Sequence, residues 1–191
     1  MIVSILDTEI ENALSILKQG KLILYPTDTV WGIGCDASNH EAVKKVYKLK
    51  QRADSKALIC LVNNYSMLEK HVDKVPQMAY SILNIAVKPT TIIYDNPAGV
   101  AENLIANDNT LAIRVVKDKF CEQLIKQLKK PLVSTSANIS GQPTPKSFKE
   151  ISEEILKGVD YVVNLQSEKS DIKPSSIIKL GNDGAIKIIR E

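Results

Sequence analysis

Lys50, Arg52 and Lys56 put three cations where a helical pattern gives way to the apolar run at residues 57–62. Cations near a helix C-terminus complement the macrodipole and need no further purpose. A loop feeding the end of a sheet strand is, however, where α/β proteins place ligand groups, and three cations there could neutralise a triphosphate. Residues 135–141, Thr-Ser-Ala-Asn-Ile-Ser-Gly, crowd hydroxyls, an amide and backbone donors into one loop, a set suited to phosphate or ribose oxygens. Residues 26–32, Pro-Thr-Asp-Thr-Val-Trp-Gly, are similar in kind and contain the only tryptophan, Trp31, which either walls a pocket or fills core. Of 25 basic residues, 22 are lysine and only Arg52, Arg114 and Arg190 are arginine. Where lysine is the default surface cation, a retained arginine is a candidate for planar, bidentate gripping of carboxylate or phosphate.

Other chemistries are excluded by spacing. Gly32-Ile33-Gly34-Cys35-Asp36-Ala37 matches the dinucleotide fingerprint G-x-G-x-x-A, but several residues separate it from the preceding strand and the next helix starts later, near Asn39. Residues 141–147 imitate a P-loop ending without its second glycine, and Pro143 and Pro145 remove backbone donors such a loop uses. His40 and His71 have no nucleophile or metal partner in the pattern, which argues against a serine triad or zinc hydrolase and for surface roles. Cys35, Cys60 and Cys121 are odd in number, widely spaced and never C-x-x-C, and are read as buried thiols.

The elements that must carry these groups alternate along the chain. A strand is expected near residues 2–6, then a helix with Ile10, Ala13, Leu14 and Leu17 on one face, stopped by Gly20. Residues 21–25 read as a buried strand ending at Pro26, residues 27–38 as a polar connection, and residues 39–50 as a helix with Val43, Val46 and Tyr47 inward. Helices follow at 65–71 and 76–87, strands at 90–94 and 111–116, an amphipathic helix at 118–129 and a short strand at 131–134. Ser147 and Glu150 have the form of a capping box, which predicts one helix from there to Gly158. Residues 160–165 read as strand, 166–174 as a polar connection, and Asn182-Asp183-Gly184 as the turn of a hairpin between 176–180 and 185–189. The hairpin and the uneven strand spacing predict a single α/β domain over residues 1–191, with a twisted mixed parallel and antiparallel sheet flanked by helices.

With 44% apolar and 25% charged residues the composition excludes a disordered tail protein, and a net charge of +3 is too small to imply nucleic-acid binding by itself. No stretch approaches a membrane span and the start lacks the features of a signal peptide, so a cytoplasmic location without membrane contact is expected.

Residues 25–37, Lys50-Gln51-Arg52 and residues 134–141, in this order and spacing, resemble the YrdC/TsaC family of threonylcarbamoyl-AMP synthases over nearly the whole chain. The resemblance implies a YrdC-like fold with a positively charged cavity. It implies a reaction in which L-threonine, bicarbonate and ATP give L-threonylcarbamoyl-adenylate and pyrophosphate. It also implies ATP bound with Mg²⁺, no protein metal site, and a product used for N6-threonylcarbamoylation of adenosine 37 in tRNA by separate transfer proteins. Lys50 and Arg52 match the K-x-R of the family and are the expected catalytic pair; Ser136 and Asn138 match its S-x-N at the nucleotide, and Lys56 aligns with another nucleotide position. By similarity Thr144 and Arg190 are further ATP contacts, and Thr27 or Thr29, Arg114, Ser134 and Ser175 form the threonine side.

Departures from the family pattern are Lys88-Pro89-Thr90-Thr91 ahead of the central strand, no proline and histidine beyond Arg114, and Pro174-Ser175-Ser176 in place of P-S-T. Attack of a carbamate on the α-phosphorus joins two anions, so positioned cations and oxygen donors supply most of the acceleration without a covalent intermediate. Two rivals remain at this level. One is a double-stranded RNA or ribosome-associated binding protein that uses the same cavity without making an adenylate. The other is carbamoyl transfer of the hydrogenase-maturation kind, which would lead one to expect C-x-x-C pairs that this chain lacks.

Overall fold

The structure, a computed structural model, describes residues 4–52, 58–165 and 173–191. Its helices begin where a short polar side chain can cap them. Ser4 accepts from the Asp7 amide and starts α1 (Ile5–Lys18), Asn39 starts α2 (His40–Leu49), Asn64 starts α3 (Tyr65–His71) and Asp118 starts α5 (Lys119–Leu128). Pro76 precedes α4 (Gln77–Ile85). The strand expected near residues 2–6 is not formed at Ile5 and Leu6, which lie in the first turn of α1; residues 1–3 fall outside the described residues. The serine cap decides that segment against its apolar alternation.

The helix expected from Ser147 to Gly158 is broken. Glu150 accepts from the Lys146 amide and the Ser147 hydroxyl, closing a single 3-10 turn at Phe148–Glu150. Ile151 then takes an extended conformation and is buried, and α6 (Glu153–Gly158) starts afresh.

Among the described residues nine strands form one mixed sheet: β1 (Ile23–Tyr25), β2 (Gly32–Gly34), β3 (Ile59–Val62), β4 (Thr90–Asp95), β5 (Thr110–Val115), β6 (Leu132–Ser136), β7 (Tyr161–Val162), β8 (Ser176–Leu180) and β9 (Ile186–Arg190), in the spatial order β7-β1-β2-β6-β3-β5-β4-β8-β9. The pairs β1–β7, β3–β5 and β4–β8 are parallel and the rest antiparallel. Strand β2 lies inside what the sequence presents as a polar connection. Its glycines serve a close approach: a Cβ on Gly34 would sit 2.6 Å from Tyr25 Cε1 and 2.9 Å from the Val133 carbonyl. That is why the G-x-G is there, and no pyrophosphate is needed to explain it.

Side chains alternate across the sheet into two cores. Leu111 and Ile113 of β5 and Cys60 and Val62 of β3 join Val43, Val46 and Leu68 under α2 and α3. On the other face Ile23, Tyr25, Leu61 and Leu132 pack against Ile10, Leu17, Leu124 and Ile125 of α1 and α5. Trp31 is core, tilted against Phe148 at 5.1 Å, and all three cysteines are free and buried. Among the described residues no helix is long and apolar enough to cross a membrane. The α1–α5 pair covers only part of its face, and the alternate residues of β5 beyond it, Ala112 and Arg114, look into a cavity.

Candidate active site

The end of α2 aims two cations in different directions. The Gln51 amide donates to the Lys48 carbonyl and the Arg52 amide to the Tyr47 carbonyl, with Gln51 left-handed at φ 50°, the hydrogen-bond pattern of a Schellman stop. The turn leaves Lys50 inside and Arg52 on the cavity wall. The Lys50 ammonium donates to the Ser136 carbonyl at 2.6 Å and the Asn138 carbonyl at 2.7 Å, while its own carbonyl accepts from the Ser140 amide at 2.8 Å. Burial, with a smaller contribution from Arg52, lowers the Lys50 pKa to about 8. Burial also lowers the Arg52 pKa, against an opposing effect of Tyr47.

Strand β6 runs two residues further than its sequence indicates, because Thr135 and Ser136 pair with Ile33 and Gly32 of β2. That pairing aligns Ser134, Thr135 and Ser136 along the cavity. Asn138 does not line it. Its amide nitrogen donates to the Ile139 and Gln142 carbonyls, bracing the loop, and its buried Oδ1 has no partner among the described residues.

The 27–29 turn and β5 meet at Arg114. Nη1 donates to Thr29 Oγ1 at 3.1 Å, Nη2 lies 3.0 Å from Asp28 Oδ1 as an ion contact, and Nε has no partner among the described residues. Thr27 Oγ1 donates to the Val30 carbonyl and accepts from the Thr29 amide. Its one proton being spent, the 2.9 Å contact between the two threonine hydroxyls runs with Thr29 donating. Thr29 Oγ1 therefore has no proton left for a ligand and one lone pair open to the cavity. Thr27 stands behind Thr29 rather than on the wall.

The terminal hairpin closes the opposite side. Ile178 pairs with Ile188 but Ile177 with Arg190, so Ile189 is an extra residue and the resulting bulge brings Arg190 opposite Ile177, with both lining the cavity. Arg190 Nε donates to the Ser175 carbonyl at 2.9 Å, and Ser175 Oγ lies 2.8 Å from Thr91 Oγ1. Burial, then repulsion from Arg114, lowers the Arg190 pKa.

These elements enclose a cavity of about 260 Å³. Of the residues singled out in the sequence, Thr29, Arg52, Arg114, Ser134, Ser136, Thr144, Ser175 and Arg190 line it, Lys50, Asn138 and Thr27 support its walls, and Lys56 lies outside the described residues. Sequence reasoning missed Asp28 and Thr91, the partners of Arg114 and Ser175. Asp28 carried a signal, an acid held between two threonines in a short turn; Thr91 carried none. Among the described residues no carboxylate lines the cavity and no group of three His, Cys, Asp or Glu residues gathers.

A family model, Sua5/yciO/yrdC, described as "Telomere recombination", matches residues 15–191. The chain is 37% identical over 177 residues to the threonylcarbamoyl-AMP synthase of Pseudoalteromonas translucida (strain TAC 125), covering 90% of this chain and 92% of that protein. The crystal structure of E. coli YciO superposes with a TM-score of 0.82 at 25% identity, over 95% of this chain and 88% of that one. P. abyssi Sua5 complexed with L-threonine gives 0.83 at 25% identity, over 94% of this chain and 52% of that one, so this chain spans about half of that longer protein.

Proposed function

The chain belongs to the Sua5/yciO/yrdC family, and from that premise we propose that it is a threonylcarbamoyl-AMP synthase, condensing L-threonine, bicarbonate and ATP into L-threonylcarbamoyl-adenylate and pyrophosphate. The observation that carries the reading is the convergence of three arginines and a ring of hydroxyls on one cavity, whose lining among the described residues has no carboxylate. Such a cavity favours anions and supplies little that would compete as a nucleophile or base.

The amine of threonine attacks the carbon of bicarbonate or CO2, giving a carbamate with loss of water from bicarbonate or, from CO2, with loss of one nitrogen proton to solvent. A carbamate oxygen then attacks the α-phosphorus, and the bond to the bridging oxygen of pyrophosphate breaks. Arg114 offers Nε to the threonine carboxylate, and Thr29 Oγ1, able only to accept, holds an amine N–H and so orients the nitrogen lone pair. Arg52 and Arg190, with the hydroxyls of Ser136 and Thr144, grip the phosphates and lower the repulsion between the two anions. With no carboxylate in the lining among the described residues, Mg²⁺ would be carried by ATP phosphate oxygens and water and would neutralise charge on the phosphates. The adenylate is an activated acyl donor, which suits it to threonylcarbamoylation of adenosine 37 in tRNA by separate transfer proteins.

The test is pyrophosphate release from ATP by the purified protein, with threonine and bicarbonate added singly and together. Release that needs both supports the synthase. A folded, ATP-binding protein that releases none under any condition refutes it.

A further inference from the structure

Among the described cations of the site, Lys50 is the one sealed away from the cavity. It is 1% exposed and is absent from the cavity wall, although Arg52, two residues on, forms part of that wall. An ammonium has three donors, and here two are held by main-chain carbonyls at charge-assisted distances, on either side of Ala137. Its own carbonyl takes the Ser140 amide, so side chain and main chain of one residue fasten the loop at three points. Asn138 then braces the loop internally through the Ile139 and Gln142 carbonyls.

Building on the synthase reading, we propose that Lys50 is a positioning residue: its ammonium staples the Ser136 and Asn138 carbonyls to the end of α2, holds the Ser136 side chain on the cavity wall beside Arg52, and makes no contact with the phosphates of ATP. This assigns the two cations of the K-x-R different work. Arg52 meets the ligand, and Lys50 fixes the loop that meets it.

The staple works only while the amine is charged. A neutral amine keeps two N–H donors, but it loses the charge that offsets burial of the two carbonyl dipoles. The groups facing the ammonium are those carbonyls, from β6 and its loop, and the Arg52 guanidinium from its own turn. Burial and Arg52 both act against the charge, which places its loss near pH 8. The folded pKa being depressed, the charged amine weakens the fold below that pH, and deprotonation relieves the fold while slackening the loop. Activity and stability should therefore part company on the alkaline side.

Hydrogen exchange tests the staple without relying on the reaction. In Lys50→Met at pH 7, peptides covering residues 136–142 should exchange about tenfold faster than in the unaltered protein, with α5 peptides unchanged. Equal exchange in residues 136–142 overturns the proposal. Lys50→Arg keeps a charge that does not titrate and restores protection. It serves equally as the second variant if Lys50→Met fails to fold.

Inhibition by inorganic pyrophosphate separates positioning from contact. A phosphate ligand would lose about 2 kcal/mol of charge-assisted bonding on removal, or about thirtyfold in affinity. A positioning residue costs at most the Ser136 hydrogen bond, about 1 kcal/mol, and so changes pyrophosphate affinity by less than about fivefold while kcat falls; a thirtyfold loss overturns the assignment. The alkaline limb of kcat/KM for ATP should lie near pH 8 and move up by about one unit or more in Lys50→Arg. A limb unmoved in that variant contradicts the titration. Failure of the synthase reading would abolish the kinetic readouts but leave the exchange result standing.

Discussion

Replacing Arg114 by methionine removes the cation of a pair whose side chains are 4% and 13% exposed, and strands Asp28 beside the cavity. Breaking a fully buried pair by deleting one partner costs about 3–5 kcal/mol, chiefly through the uncompensated charge left behind. Water reaches Asp28 more than Arg114, which lowers that cost to about 2–3 kcal/mol. Losing the hydrogen bond to Thr29 adds about 1 kcal/mol. A total of about 3–4 kcal/mol corresponds to a fall in Tm of roughly 6–16 °C for a domain of this size. Adding Asp28→Asn removes the stranded charge and should recover about 2 kcal/mol of that loss. Neither variant should release pyrophosphate, because the donor assigned to the threonine carboxylate is gone from both. Urea unfolding of the unaltered protein, both single variants and the double variant measures the cycle. A double variant no more stable than Arg114→Met, or a loss below about 1 kcal/mol in Arg114→Met, refutes the pairing argument.

Three further substitutions separate fold from chemistry. Gly34→Ala presses a Cβ to 2.6 Å from the Tyr25 ring and should cost about 1–3 kcal/mol in urea unfolding, with a value near zero showing that the strands can part. Arg190→Ala sits on the exposed edge strand β9 and should shift Tm by less than about 2 °C while lowering kcat/KM for ATP by about a hundredfold, read from the pyrophosphate assay. Gln51→Gly relieves the left-handed residue that ends α2 and loses an exposed hydrogen bond to Glu154, for a net gain of about 0.5 kcal/mol in thermal unfolding.

Most of the groups that line the candidate site were legible in the sequence because they are chemically conspicuous and sit at the ends of strongly patterned elements. The rare arginines stood out against a lysine background, and each lines the cavity. What sequence reasoning missed depends on pairing between distant segments. Strand β2 has only one apolar side chain and no alternation, and its reason to exist is the packing of Tyr25 against Gly34. The bulge at Ile189 and the contact of Thr91 with Ser175 are set by strand register, which no local pattern encodes. The broken helix at Ile151 shows tertiary burial overriding a local cap signal. Lys50 was assigned by its type to the phosphates, while its geometry depends on carbonyls far along the chain.

The identity of the product decides whether the chain is a threonylcarbamoyl-AMP synthase. With ¹³C-labelled bicarbonate, threonine, ATP and Mg²⁺, separation and mass analysis of the reaction mixture should find an adenylate containing both threonine and the labelled carbon, formed in step with pyrophosphate. An ATP turnover that yields only unlabelled AMP or ADP, or a threonyl adenylate without the label, would contradict that assignment.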